Sequence, residues 1–518
     1  MRYLSPGVYF EEFAAGTNPD TGGFARGTAT RSAFELPITR SRWLDPRLTA
    51  AFVGFADRGP VNAPAYITSW QEYVSYFGGF VEGAFLGHAM YGFFQNGGQS
   101  AYVVRAGAQG SLSRYAEVAV PSATDPRTSA LRIVARSPGP AGNALAVEVL
   151  PSEDPSGFDL VVTRAGEAVE QFQGLEVEPN QSNAGVAVND LSLLVAVAGP
   201  EPLAPPAIGR YPLIGGSFQG PSDTVTSRSD GVDVHHTAID ALTELAERVQ
   251  VVAAPDIMSL YAGGEIGVET VLSNQHALIA HCEHMGDRIA VLDVPPGLNA
   301  SMVREWRTEV ARYDSSSAAM YYPWIGVSDP STDGRITVPP CGHVAGVCAR
   351  TVAGEGFRRS PANEALIGAV TVERSLFRAE VDLLNPEGIN TIVSPAGSAP
   401  IVWGARTLSS DPTWRLVRTR LVANFVAGNI TAAMRWVIHR PGGPALWAEV
   451  TRELRGFFDL LLLSGALAGV SAEAAYSVKC DEDTNPAEAL SAGLTKAECA
   501  LNLDGGSTLM FRVVFASI

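Results

Sequence analysis

The sequence predicts a multidomain α+β / α/β chain: a central α/β core, an inserted β-rich domain, and extended arms at both ends. Three observations predict it. Short apolar runs alternate with helical periods over residues 46–106 and again over 217–408, the rhythm of a mostly parallel sheet covered by helices. Residues 107–216 instead hold short β-rich runs separated by turn residues. Each end carries one strand-like run, residues 8–13 and 509–515. The 518 residues exceed one ordinary domain. The expected division is an arm and linker at 1–45, the first part of the core at 46–106, the insert at 107–216, the core at 217–408, and a C-terminal domain with its arm strand at 409–518.

The elements follow in order. Val8, Tyr9, Phe10, Glu11, Glu12 and Phe13 form a short strand, and the Gly/Thr/Pro-rich residues 14–30 cannot bury enough apolar surface to fold alone. A frayed terminus explains the same composition. Residues 51–56 are a strand ending at Asp57-Arg58-Gly59-Pro60. Thr68 or Ser69 caps a helix at Trp70, with Glu72 in its first turn. A second helix over 85–96 stops at Gly97-Gly98, and 101–105 is a strand. In the insert, 118–120, 131–135, 145–149, 160–163 and 193–197 are the expected strands. The α/β rhythm then returns. Residues 238–247, 268–284 and 302–313 are helices, and 249–255, 288–293 and 318–322 are strands, with connections suited to a parallel sheet. Residues 416–427 and 444–463 are further helices. Leu509, Phe511, Val513 and Phe515 then alternate on one face of a last strand.

Composition limits the function. Hydrophobic residues make up 46% and charged residues 18%, which suits a globular chain able to bury a large core. Acidic residues outnumber basic ones, 54 to 37, for a formal charge of -17. Such a surface repels nucleic-acid phosphates and anionic membranes, so neither nucleic acid nor direct membrane insertion is an expected partner. The most apolar run, 457–470, is broken by Asp459, Ser464 and Gly465 and is too short to span a bilayer. Five cysteines form no disulfide framework and fit a reducing compartment, so folding in the cytoplasm is expected. The N-terminus lacks a signal-peptide pattern.

α/β sheets often carry enzyme sites at the loops after strand ends. Here those loops are Ala254-Pro255-Asp256 and Asp293-Val294-Pro295-Pro296-Gly297. Neither is a phosphate cradle, and no P-loop, dinucleotide fingerprint or nucleophile elbow occurs in the sequence. His281 and His284 are spaced to share a helix face, with His276 only partly joining them. A metal would need a third ligand, and ordinary helix histidines account for the pattern. Cys341-Gly342-His343 with Cys348 matches no common zinc module and reads as buried thiols. His235-His236 precedes a helix and reads as capping or solvating its start, and Asp481-Glu482-Asp483 as a solvated acidic turn. No cofactor, metal or catalytic set is expected. Two other classes remain open: a hydrolase-like enzyme using His343 or the His281–His284 pair, and a baseplate or capsid-surface binding module using the insert.

Several stretches carry a family resemblance. Ser5-Pro6-Gly7-Val8-Tyr9-Phe10-Glu11-Glu12 resembles the opening of contractile tail sheath proteins. Ala51-Phe52-Val53-Gly54-Phe55-Ala56-Asp57-Arg58-Gly59-Pro60 and Thr68-Ser69-Trp70-Gln71-Glu72-Tyr73 are similar to the same family. So is Ala89-Met90-Tyr91-Gly92-Phe93-Phe94-Gln95-Asn96-Gly97-Gly98, the most specific piece. Ser137-Pro138-Gly139-Pro140-Ala141-Gly142-Asn143 resembles the start of the family's inserted domain. Leu384-Asn385-Pro386-Glu387-Gly388-Ile389-Asn390 and Trp403-Gly404-Ala405-Arg406-Thr407-Leu408 extend the match, and the marks run from residue 5 to about residue 495. One departure stands out. Gly505-Gly506-Ser507-Thr508 occupies the place of the family's Pro-Ala-Glu-Phe piece.

The resemblance implies a structural subunit, not an enzyme. Copies would polymerise as a helical cylinder of stacked six-fold rings around an inner tube, held by baseplate and terminator proteins. The particle is then a phage virion or a phage-tail-like injection system, assembled in the cytoplasm and possible to release. It also implies that the arm strands, Val8–Phe13 residues and Leu509, Phe511, Val513 and Phe515, add to sheets of neighbouring subunits, since one chain is not expected to pair both by itself. The helix over 444–463, with Glu449, Arg452, Glu453 and Arg455 beside an apolar end, is the expected inner-tube contact. A core helix with a solvated first half would show the same pattern.

Overall fold

The computed structural model describes residues 7–13, 28–29, 47–107, 115–136, 140–152, 157–164, 166–177, 183–192, 194–198, 205–216, 234–245, 249–329, 334–395, 397–503 and 507–516. The Gly-rich tether expected at 14–30 falls almost wholly outside them, as do Ser137-Pro138-Gly139 and the Gly505-Gly506 departure.

The chain begins with β1 (Gly7–Phe13) and β2 (Thr28–Ala29), then enters the core through β3 (Ala50–Gly54) and β4 (Ala65–Ile67). Helix α1 (Trp70–Phe77) starts where Ser69 Oγ accepts the Glu72 N–H, as the sequence indicated. Helix α2 (Leu86–Gln95) and β5 (Ala101–Arg105) complete the first part. The insert holds β6 (Glu117–Pro121), β7 (Ser129–Ala135), β8 (Leu145–Pro151), β9 (Phe158–Arg164), β10 (Glu167–Leu175), α3 (Ala184–Leu191), β11 (Val195–Val197) and β12 (Gly209–Pro212). They make two antiparallel sheets, β10-β9-β8-β12 and β11-β7-β6, around a hydrophobic cluster of their own. Strands β10 and β12 and helix α3 are additions to the expected set.

The core resumes with α4 (Val234–Asp240), β13 (Val251–Ala253), α5 (Asp256–Ala262), α6 (Val268–Met285) and β14 (Ile289–Asp293). Next come α7 (Ala300–Glu305), β15 (Ala318–Tyr322), β16 (Ile325–Asp329), β17 (Gly334–Val338) and α8 (Cys341–Glu355). After them lie β18 (Glu364–Ala365), β19 (Ala369–Val372), α9 (Arg378–Leu384), β20 (Ile389–Val393) and β21 (Ile401–Val402). The helix expected over 302–313 is in fact α7 followed by a π turn, Trp306–Ala311, which Arg312 ends with a φ of 49°. The helix expected over 238–247 begins four residues earlier and tightens into a 3-10 turn, Ala241–Glu244.

One nine-stranded sheet, ordered β18-β21-β20-β15-β14-β13-β3-β5-β4, organises the core. Its six inner strands run parallel, and antiparallel strands close both edges. Alternate residues serve opposite faces. Phe52, Ala253, Val291 and Tyr321 join one cluster, while Val53, Val252, Leu292 and Met320 join the other. Both faces are buried, which explains why these strands read as unbroken apolar runs. The first cluster continues without a break through α8 into the C-terminal elements.

Those elements are α10 (Val417–Ala433), α11 (Pro444–Leu463), α12 (Ala472–Ala475), β22 (Tyr476–Lys479), α13 (Ala487–Ser491), β23 (Leu494–Asn502) and β24 (Thr508–Ala516). Among the described residues the stretch Val417–His439 is long and apolar enough to cross a membrane by length and composition. It is instead a core helix, Val417–Ala433, with the 3-10 turn that follows it, and 78% of its most apolar window is buried in the fold. The sequence reading had singled out 457–470 as the most apolar run.

Candidate assembly interface

The two ends of the chain meet. A five-stranded antiparallel sheet runs β2-β1-β24-β23-β22. Strand β1 pairs with β24 along its whole length, from Gly7 opposite Ala516 to Phe13 opposite Met510. This corrects the expectation that one chain cannot pair both of its terminal strands. The physical reason is complementarity: each strand offers the other an open edge and matching faces in one antiparallel register. Leu509, Phe511, Val513 and Phe515 share the core face, as their alternation indicated. Val8 and Phe10 join them, and Phe10 stacks on Phe511 with ring centroids 4.4 Å apart. Tyr9 faces the other way, in a small cluster with Val514 and Ala516. All seven residues of β1 are buried. Each large apolar side chain buried in this way contributes roughly 1.5–3 kcal/mol.

Charge fixes the position of β1. Glu12 follows Val8 and Phe10 on the core face, where Arg420 of α10 meets its carboxylate with both terminal nitrogens. Arg420 Nη1 lies 3.0 Å from Glu12 Oε2, and the two side chains are 4% and 8% exposed. On the opposite face Glu11 lies across from Arg512 in register. Arg512 in turn donates to Glu498 Oε1 of β23 at 2.7 Å. Sequence reasoning placed both glutamates on the strand but found no partner for them. Arg420 sits 408 residues from Glu12, and no spacing rule reaches that far.

Helix α11 has the expected bounds and is two-faced. Leu446, Val450, Leu454, Phe457, Phe458 and Leu461 are buried. Arg452 and Arg455 are exposed, and Glu449 and Glu453 are partly so. Arg452 is already flanked by Glu449 at 3.9 Å and Glu453 at 3.6 Å, and Glu449 also accepts from Arg440 at 3.0 Å. Such exposed pairs stabilise little. Beyond them Leu460, Leu463 and Val470 are exposed, Leu463 by 84%. A solvated first half with an exposed apolar end is therefore what the helix presents.

The places where an enzyme site was sought are filled by structure. Strand order reverses between β3 and β13, so their carboxyl ends mark the topological switch point where open α/β sheets hold ligands. Asp256 plugs that point. Its carboxylate accepts the N–H groups of Phe55 at 2.7 Å, Leu86 at 3.3 Å, and Phe85. It thereby fastens the end of β3 to the start of α2. A side chain on Gly54 would meet Asp256 Oδ2 at 2.4 Å, so this seal requires glycine there. Burial, opposed by those hydrogen bonds, pushes the Asp256 carboxyl up to about 6. Asp293, at the end of β14, is pushed by burial up to about 7 and accepts the Cys341 N–H at 3.1 Å. Burial likewise holds the Cys341 thiol well above its ordinary value, so it stays protonated.

The histidines singled out in the sequence do not converge. His281 is buried, 3.0 Å from Arg288 Nη1, whereas His284 is exposed, so the pair does not share an environment. Burial and Arg288 push His281 down to about 3. His235 is fully buried against Phe55 rather than solvated at a helix start, and burial pushes it down to about 3. His343 is 1% exposed, packed on Gly92, and pushed by burial down to about 4. All five cysteines are free and buried. Among the described residues no group of three or more His, Cys, Asp or Glu is placed to hold a metal ion.

Comparison with known proteins agrees with this geometry. Residues 247–408 match the model of the phage tail sheath protein central domain. The chain is 26% identical over 273 residues to the tail sheath protein of Burkholderia phage BcepMu, covering 49% of this chain and 56% of that one. It spans about half the length of the curated relatives it matches first. Among solved structures, a sheath tail protein of Listeria innocua superposes with a TM-score of 0.65 at 14% identity, over 92% of this chain and 96% of that one. The contracted sheath complex of an extracellular contractile injection system gives 0.53 at 17% identity, over 92% and 95%. Residues 247–408 thus match the phage tail sheath protein central domain, and the chain as a whole has the fold of the solved sheath proteins.

Proposed function

We propose that this chain is a sheath subunit, a structural protein that polymerises as a helical cylinder around an inner tube and drives that tube by contracting. The observation that carries the reading is the sheet built from the two chain ends. Strand β1 completes it from the far end of the sequence, and 33 residues separate Phe13 from Arg47. Of these, the 17 residues between β2 and Arg47 reach on the order of 55 Å when fully extended. A strand seated in its own chain can be exchanged for the same strand of a neighbour at little net cost, because every hydrogen bond is replaced by an equivalent one. Linked in this way, bodies rotate against each other while the strand remains seated. Contraction then runs downhill from one packing of bodies to another.

The partners are other copies of the chain, with a baseplate at one end, an inner tube inside and a terminator at the other end. The solved neighbours include sheath and baseplate complexes of contractile particles, which supports this setting and a place in a virion or phage-tail-like particle. Helix α11 is the tube contact in this reading. Arg452→Glu with Arg455→Glu turns its mixed face acidic and reduces assembly of sheath on tube, while sheath assembly without tube stays unchanged. Extended particles formed at the wild-type yield would remove α11 from the tube contact.

Negative-stain microscopy of the purified chain tests the main reading, which expects long striated hollow cylinders. Removing residues 1–15 leaves the nine-stranded core folded, as read by circular dichroism, and abolishes the cylinders. Cylinders of normal length from the shortened chain would show that β1 is not the link.

A further inference from the structure

We propose that Glu12 and Arg420 form a charge key that decides which strand, in which register, may occupy the arm-binding groove. This rests on the reading of the chain as a subunit that exchanges β1 with its neighbours. The receptor half of the key is built without β1. Arg420 Nε donates to Asn424 Oδ1 at 2.8 Å, one turn along the same helix. Its guanidinium lies over the Trp414 ring, 4.4 Å from the centroid, and Nη1 reaches Ser316 Oγ at 3.5 Å. These contacts hold the fork with its two terminal nitrogens toward the groove. None of them supplies a negative charge. Among the described residues, the carboxylate comes only with the incoming strand.

A buried guanidinium that loses its carboxylate keeps the whole desolvation cost, whereas the matched pair roughly offsets it. The groove therefore selects by rejection, the usual way charge gives specificity. A slip of one residue turns Val8 and Phe10 outward, and in one direction it also leaves Arg420 facing Phe13 with no carboxylate. A slip of two places Phe10 there. The apolar residues Val8 and Phe10 supply affinity for any register that keeps them inside. Glu12 distinguishes the correct one.

The test uses full-length chains with Glu12→Arg, Arg420→Glu, or both, scored as sedimentable cylinders and by microscopy. Each single variant alone falls in assembly by roughly a hundredfold, because like charges face each other in the groove. The double variant recovers. So does an equal mixture of the two single variants, because each arm then finds its opposite charge in the other chain. Recovery of the double variant without recovery of the mixture means that β1 stays in its own chain, which overturns the exchange while leaving the ion pair as its register lock. Wild-type assembly of either single variant overturns the key itself, as does failure of both the double variant and the mixture from folded chains. Should R420E not fold, Glu12→Gln replaces it. That change keeps the arm's shape, leaves Arg420 uncompensated and is expected to reduce assembly at least tenfold. No reduction would again overturn the key.

Discussion

At Asn390 one amide joins two stretches that lie apart in sequence. Its Nδ2 donates to Met320 O at 3.1 Å and Arg406 O at 2.7 Å, and its Oδ1 accepts the Arg406 N–H at 2.6 Å. The Asn390 side chain is fully buried, so its own polar atoms cannot turn to water. Asn390→Ala strands the Arg406 N–H and two carbonyls and destabilises the fold by about 1–3 kcal/mol. Urea denaturation of the soluble chain measures this, and an unchanged midpoint would refute it. The sequence named both stretches, through residues 384–390 and 403–408, but could not say that they touch. Asp256 shows the same limit. In the sequence it stands in a loop after a strand, a place where α/β sheets often carry enzyme sites. Only the three backbone N–H groups converging on it decide for structure.

Among the elements, those with strong periodicity were legible and those with small residues were not. Helix α11 was found with both ends, because Gly442-Gly443 precedes Pro444 and the apolar spacing is regular. Strand β23 was not found, although Thr495, Ala497, Cys499 and Leu501 alternate inward without a break. Ala, Lys and Glu are weak strand formers, and here packing on β24 overrides propensity. The contact of α2 with α8 explains the most specific stretch of the sequence. A side chain at Gly342 would lie 2.3 Å from Ala89 O, and one at Gly346 2.6 Å from Phe93 O, both backbone atoms that cannot move aside. The two glycines, one turn apart, let the helix axes approach. Gly342→Ala forces them apart and costs about 1–3 kcal/mol, despite the better helix propensity of alanine. Thermal melting against the wild type reads the loss, and a gain in stability would contradict the packing argument.

For the whole molecule, buried titratable groups set a pH dependence of opposite signs. Burial lowers His88, His235, His281 and His343, the last three to about 3, 3 and 4. Their stability contribution is present above the unfolded value of 6.5 and is lost as pH falls through the folded values. Burial raises Asp256 and Asp293 from 3.8 to about 6 and 7. Their contribution is present below 3.8 and is lost as pH rises through 6 to 7. Between pH 5 and 6 the four histidines outnumber the two carboxyls, so the unfolded state binds more protons and stability rises with pH. The melting temperature is expected to fall toward pH 5 and to level off above about pH 7. A flat profile over that range would contradict the burial of these histidines.

The sequence by itself determined the class of this protein: a mixed α/β fold with a parallel core, further β-rich runs, strand-like ends, and the stretches that resemble tail sheath proteins. These are matters of local period, turn chemistry and motif, which neighbouring residues carry together. Tertiary structure decided what becomes of the ends. It joined β1 to β24 and placed Glu12 against Arg420, because strand pairing and buried charge depend on groups brought together from hundreds of residues apart. It also decided that the switch point of the sheet is closed by Asp256, since a carboxylate's role follows from what surrounds it and not from its place in the chain.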